Sequence, residues 1–271
     1  MNSWELRKKR RGPANLPAVS RGRPGIVTKE IRDAIGFARE QLHFAPDPRQ
    51  EELLRCEAKQ AILNCSRQWG KSTVAAIKAV HRAYSVPKSL VVVASPTDRQ
   101  SAEFVEKARG FVVQLGLKAR GDGHNKTSLR LPNGSLIIGL PGKEANIRGF
   151  SAVSLLIIDE AARVSDELYK TLRPMLTVAD GDLWLLSTPY GKRGFFHENW
   201  EFGGAAWARF RVPATECSRI SAKRLEFDRG QMGDAWFRQE YMCEFLATES
   251  QMFESELVRD ALRDDEEGWT L

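Results

Sequence analysis

The chain has 271 residues, 42% of them hydrophobic, and a formal net charge of +6, enough for one large domain with a small appendage around a real core. It contains no run of 18 apolar residues, and its basic start, MNSWELRKKRRG, lacks the apolar stretch of a signal peptide, which points to a soluble cytoplasmic protein rather than a membrane or secreted one. The four cysteines, Cys56, Cys65, Cys217 and Cys243, form no C-x-x-C pair, which argues against a zinc site or disulfide framework and for a reducing cytosol.

Residues 1–27 read as a disordered arm rich in Pro and Gly, in which seven Arg and Lys face only Glu5. Such an arm either contacts nucleic acid or a partner or is simply solvated. At the other end, 251–271 form an acidic tail. Between them, TKEIRDAIGFAREQL (28–42) has helical spacing of Ile31, Ile35, Ala38 and Leu42, and QEELLRCEA predicts a second short helix. AILNC (61–65) predicts a buried strand, KSTVAAIKAVHRAYSV a helix, SLVVVASP (89–96) a strand and RQSAEFVEKARGFVVQLG (99–116) a helix. This alternation predicts an α/β fold with a mainly parallel sheet covered on both faces.

SLRLPNGSLIIGL (128–140) places two apolar stretches around Asn133-Gly134, a hairpin signal and so an antiparallel addition. SLLIIDEAA (154–162) and DLWLLSTP (182–189) predict two more buried strands. The core is expected over 28–195. The remainder, 196–250, mixes a strand-like WARFRVPA (207–214) with a helical stretch from Ile220 to Phe245, read as a small helical lid.

The chemistry concentrates in CSRQWGKST, Cys65 to Thr73. A phosphate-binding loop normally reads G-x-x-x-x-G-K-[ST], with backbone N–H groups around the phosphates. Cys65 stands where the first glycine belongs, but Lys71 for the β/γ-phosphates, Ser72 for Mg²⁺ and the N–H groups from Gly70 to Thr73 are all present. Ser66, Arg67, Gln68 and Trp69 complete the loop, and Arg67 and Gln68 offer donors toward phosphate or substrate. A bare G-K-S-T recurs by chance; following a buried strand and opening a helix is the context that confirms it. Further on, four apolar residues precede Asp159-Glu160. Asp159 at a strand end can hold Mg²⁺, and Glu160 can polarise the attacking water.

In this order, PDPRQEELL, CSRQWGKST, VVVASPT, NIRGFSAVSLLIIDEAA, LLSTPYGKRGFF and FRQEYMCEF resemble the ATPase part of the large terminase subunit, over roughly residues 40–250. That family packs DNA into viral capsids and commonly lacks the first glycine of the loop. The resemblance implies a P-loop NTPase of the RecA-like class that binds ATP and Mg²⁺ and moves double-stranded DNA in the cytoplasm of an infected bacterium. It implies the portal protein and the small terminase subunit as partners, and a homo-oligomeric ring, usually of five, whose isolated subunit turns over weakly. It assigns adenine reading to Gln50, an arginine finger in the neighbouring subunit's site to Arg148, and coupling to Ser187 and Thr188.

Lys192 and Arg193 become candidate DNA contacts, against the alternative of solvated loop residues. Trp69 either stacks on a base or packs internally. About 25 residues follow FRQEYMCEF, too few for the two-metal nuclease domain of the family, so ATP hydrolysis without DNA cleavage is expected of this chain. Two other readings share the motifs: a superfamily-two helicase-like ATPase, which would need a second RecA-like lobe, and a nucleotide-dependent switch without turnover.

Overall fold

A computed structural model describes residues 33–118, 120–121, 127–140 and 149–247. Seven strands form one sheet: β1 (Gln60–Cys65), β2 (Leu90–Ala94), β3 (Ser128–Arg130), β4 (Leu136–Leu140), β5 (Leu155–Asp159), β6 (Asp182–Ser187) and β7 (Trp207–Val212), in the spatial order β3-β4-β2-β5-β6-β1-β7. Only the β3–β4 pair is antiparallel, with Leu129 opposite Ile137. Its turn is where the sequence puts it: Gly134 has φ +86° and the Asn133 side chain accepts from the Ser135 N–H.

Strand periodicity divides the core in two. Ala61, Leu63, Cys65, Val91, Val93, Leu155, Ile157, Trp184 and Leu186 face one side of the sheet. Ile62, Val92, Ala94, Leu156, Ile158, Leu183 and Leu185 face the other. Against the first side pack α1 (Ala34–Gly36, continuing as a π-helical turn Phe37–Gln41), α2 (Pro48–Arg55), α3 (Lys71–Ser85) and α4 (Asp98–Gln114). Against the second pack α5 (Asp166–Leu172) and α6 (Gly194–Phe202). Strands buried on both faces explain the unbroken apolar runs of β2 and β5.

The caps are local and legible. Asp47 accepts from the Gln50 N–H at 2.9 Å while the Gln50 side chain accepts from the Asp47 N–H at 3.1 Å, a capping box with Pro48 at the first turn. Thr97 and Ser165 cap α4 and α5 through their hydroxyls. The leading helix, expected over 28–42, is described only from Asp33, which accepts from the Ile35 and Gly36 N–H groups and so starts a helix there.

Two expectations are revised in the C-terminal part. WARFRV, assigned to the lid, is β7, paired parallel with β1 from Gln60↔Trp207 to Cys65↔Val212. It lies at the sheet edge and buries only its ends, so its pattern lacks the apolar run of the inner strands. The single helical stretch from Ile220 to Phe245 is two helices, α7 (Ala222–Met232) and α8 (Asp234–Glu240), because Gly233 takes φ +80°. These pack together through Leu225, Phe237 and Ala214 as a small cluster of their own.

Candidate functional site

The loop between β1 and α3 shows why its first glycine is dispensable. Cys65 is the last residue of β1, fully buried and in register with Val212, so it needs no unusual backbone angle. The left-handed turns fall later, at Gln68 (φ +62°) and Gly70 (φ +99°). Burial pushes the Cys65 thiol well above its usual pKa, which makes it packing rather than chemistry. The loop is tied down by the Ser66 N–H, which donates to the Val212 carbonyl, and the Arg67 N–H, which donates to that of Glu240.

Helix α3 differs from its neighbours at the start. Its cap is Gly70, and no side chain closes its first turn. The first N–H groups of a helix have no partner within it, and the helix dipole adds positive potential, so this end is shaped for an anion. Ser66 adds a buried hydroxyl without a hydrogen-bond partner at the same loop.

Two carboxylates meet this helix end. Ser72 Oγ donates to Asp159 Oδ2 at 2.8 Å, and Lys71 Nζ lies 2.9 Å from Glu160 Oε1. Asp159 is buried, which raises its pKa above the usual carboxylate value despite the nearby Lys71 charge. For Lys71, burial lowers the pKa, but the charges of Glu160 and Asp159 outweigh it and the net shift is upward. Glu160 sits in the left-handed region at φ +52°, ψ +42°, a strained position for a non-glycine residue of the kind that clusters at functional sites. The set fits Mg²⁺: one hydroxyl and one carboxylate leave the remaining octahedral positions to phosphate and water, as this ion prefers. No cluster of three or more His, Cys, Asp or Glu that could hold a metal occurs among the described residues.

Strand β6 lies between β1 and β5, so Ser187 and Thr188 at its end come to the same edge. Both are buried, and the Ser187 hydroxyl has no partner. Arg163, which the sequence reading missed, joins these groups. A 3-10 turn, Ala161–Arg163, follows Glu160 directly. It brings Arg163 Nη1 to 3.2 Å from Thr188 Oγ1 and 3.6 Å from Glu160 Oε2.

Its Nη2 donates at 3.0 Å to Glu240 Oε1, while Arg67 Nε donates at 2.6 Å to Glu240 Oε2. Burial pushes the Glu240 carboxyl up, but the Arg67 hydrogen bond and the two guanidinium charges outweigh it and hold it below its usual value. An acid flanked by aromatic residues in FRQEYMCEF was the available signal.

Gln50 is buried beside the loop, with its amide bonded in the capping box and donating to the Trp69 carbonyl at 3.2 Å. Arg219, also unforeseen, donates to that same carbonyl. The Trp69 indole is buried in the core, so packing prevails over base stacking. Thr73 lies in the first turn of α3, its N–H bonded to the Gly70 carbonyl.

Lys192 and Arg193 lie on the segment after β6, away from the phosphate loop in sequence. The Arg193 guanidinium covers the Tyr190 ring at 4.6 Å, and that of Arg163 lies 4.7 Å from the same ring. Arg148 falls outside the described residues. No described helix is long and apolar enough to cross a membrane.

Known proteins resemble this chain in sequence and in fold. Residues 62–260 match the family described as the N-terminal part of the terminase large subunit, T4likevirus-type. The terminase large subunit of Escherichia phage T5 is 25% identical over 247 residues, covering 89% of this chain and 54% of that protein. The chain therefore spans about half the length of the curated relatives it matches.

Among solved structures, the large terminase ATPase domain of Thermus phage P74-26 superposes with a TM-score of 0.69 at 24% identity, covering 77% of this chain and 97% of that one. The large terminase of a thermophilic bacteriophage, in complex with ADP, gives 0.62 at 13% identity, covering 80% and 53%. The mixed sheet flanked by helices is thus the P-loop, RecA-like fold.

Proposed function

We propose that this chain, which belongs to the terminase large subunit family, is an ATPase whose turnover drives double-stranded viral DNA into a procapsid. The observation that carries this reading is the meeting of Lys71 and Ser72, at the uncapped start of α3, with Asp159 and Glu160 at the end of β5. That a structural neighbour was solved with ADP supports a nucleotide here.

In this reading the triphosphate lies on the N–H groups of the first turn of α3, and Lys71 leaves Glu160 to bond the β/γ-phosphates. Ser72 and Asp159 hold Mg²⁺, which neutralises charge on the phosphate oxygens when bound. Glu160, released from its lysine, accepts a proton from the attacking water. Gln50 reads the adenine edge by exchanging its present bonds for ones to the base. Arg148 enters the neighbouring subunit's site, where such a finger is worth about 10³–10⁵ in rate. Thr188 senses the γ-phosphate, and Lys192 and Arg193 meet the DNA backbone without reading its sequence. The working assembly is a ring on the portal, in the host cytoplasm, recruited to DNA with the small subunit.

Steady-state phosphate release with and without duplex DNA tests the reading. Stimulation by duplex DNA is expected. Nucleotide binding without turnover at any protein concentration would leave only a switch, and strand separation coupled to hydrolysis would favour the helicase-like alternative.

A further inference from the structure

The proposed reaction gives no task to the most buried acid of the lid. Glu240, at the end of α8, is 1% exposed and yet fully paired: each oxygen accepts from a different guanidinium, Arg67 of the phosphate loop at 2.6 Å and Arg163 of the turn after Glu160 at 3.0 Å. Arg163 in turn reaches Thr188 Oγ1 at 3.2 Å and lies 3.6 Å from Glu160 Oε2. The charges alternate along one line from Lys71 through Glu160, Arg163 and Glu240 to Arg67.

A buried carboxylate is costly unless paired, and removing it would leave two guanidiniums competing for whatever acids remain. The nearest is Glu160. Arg163 has two acidic partners, and Glu240, with the Thr188 hydroxyl and the Tyr190 ring, holds its guanidinium back from a closer pair with the base. At 3.6 Å its contact with Glu160 is the loosest in the line.

We propose that Glu240 is a positioning residue for hydrolysis: by anchoring Arg163 against Thr188, and Arg67 against the lid, it keeps Arg163 from closing on Glu160 and leaves that carboxylate able to accept a proton. Nucleotide arrival draws Lys71 off Glu160, and without Glu240 the guanidinium of Arg163 takes the vacated place. The base would then be paired and slow although the triphosphate is bound. The same bonds tie α8 to the phosphate loop and to the turn after Glu160, and through Arg163 to Thr188 at the end of β6. The inference rests on the ATPase reading of the site.

Its test is the full chain with Glu240→Gln, Arg163→Gln and both changes. Each is measured for steady-state phosphate release and, separately, for binding of a fluorescent non-hydrolysable ATP analogue, with folding checked by thermal melting. Glutamine keeps the size of the side chain and one acceptor but not the charge. Glu240→Gln should lower kcat on the order of 10- to 100-fold, the scale of a small misplacement of a reacting group, with analogue affinity within about threefold of wild type. In the Arg163→Gln background the same change should cost little more, because residues acting through one another are not additive.

A Glu240→Gln protein with wild-type kcat would overturn the inference, and so would an equal loss in the presence and absence of Arg163. Loss of analogue binding in parallel with kcat would assign Glu240 to the architecture of the loop instead. If Glu240→Gln fails to fold, Glu240→Asp decides: the shortened acid keeps the charge but holds Arg163 less closely, so a smaller loss of kcat that largely disappears in the Arg163→Gln background is expected, and an equal loss with and without Arg163 contradicts the inference. No turnover by the wild-type chain would instead remove the ATPase reading, and this inference with it.

Discussion

The ammonium of Lys71 and the carboxylate of Glu160 are paired with each other, 2.9 Å apart. On the proposed function, the group that would bind the triphosphate therefore occupies the group that would activate water, and the pair must part before reaction. Both are shielded from solvent, with side-chain exposures of 10% and 23%, so the contact is stronger than a surface ion pair.

Replacing Lys71 by Ala removes both the proposed phosphate contact and the counter-charge of Asp159 and Glu160. Truncating one partner of a buried charge pair costs about 2–5 kcal/mol, so nucleotide affinity should weaken by at least about 30-fold. Titration with a fluorescent nucleotide measures this, and unchanged affinity would contradict the placement of the triphosphate.

Gly70 has φ +99°, and a Cβ there would lie 3.2 Å from the Gln50 amide nitrogen. Gly70→Ala should lower stability by ~1–2 kcal/mol through the left-handed backbone, besides displacing Gln50. The urea midpoint reports the first effect, and a midpoint equal to wild type would mean that the loop has another conformation in solution.

Glu240 makes stability depend on acid. Its folded carboxyl titrates below its unfolded value of about 4.3, so its contribution is complete above that pH and is lost as pH falls through the lower, folded value. The stability difference between wild type and Glu240→Gln should therefore be constant near neutrality and narrow as pH falls below about 4. Denaturant midpoints over a pH series measure it, and a constant difference down to pH ~3 would show that Glu240 is not held ionised.

For Arg148 the informative measurement is mixing. Arg148→Ala and Glu160→Gln proteins, each inactive alone, should together recover part of the wild-type phosphate release, because a mixed ring contains interfaces with both intact groups. No recovery would argue against a finger acting between subunits.

The meeting of Lys71-Ser72 with Asp159-Glu160 was legible in the sequence, since both are contiguous pairs bounded by strong strand and helix patterns. The inner strands themselves were legible too, because their apolar runs reflect burial on both faces. The sequence did not carry Arg163 and Glu240, whose bond joins positions 77 residues apart and has no local pattern. Nor did it place β7, an edge strand whose half-exposed face imitates a solvated segment. Gln50, assigned to the adenine edge by resemblance, has its side chain engaged in the capping box of α2.

The central claim is that Glu160 activates water for a nucleotide held at Lys71, and Glu160→Gln tests it most directly. Analogue binding should persist while phosphate release falls by about 10²–10⁴, the usual contribution of a general base. Phosphate release at the wild-type rate would contradict the assignment.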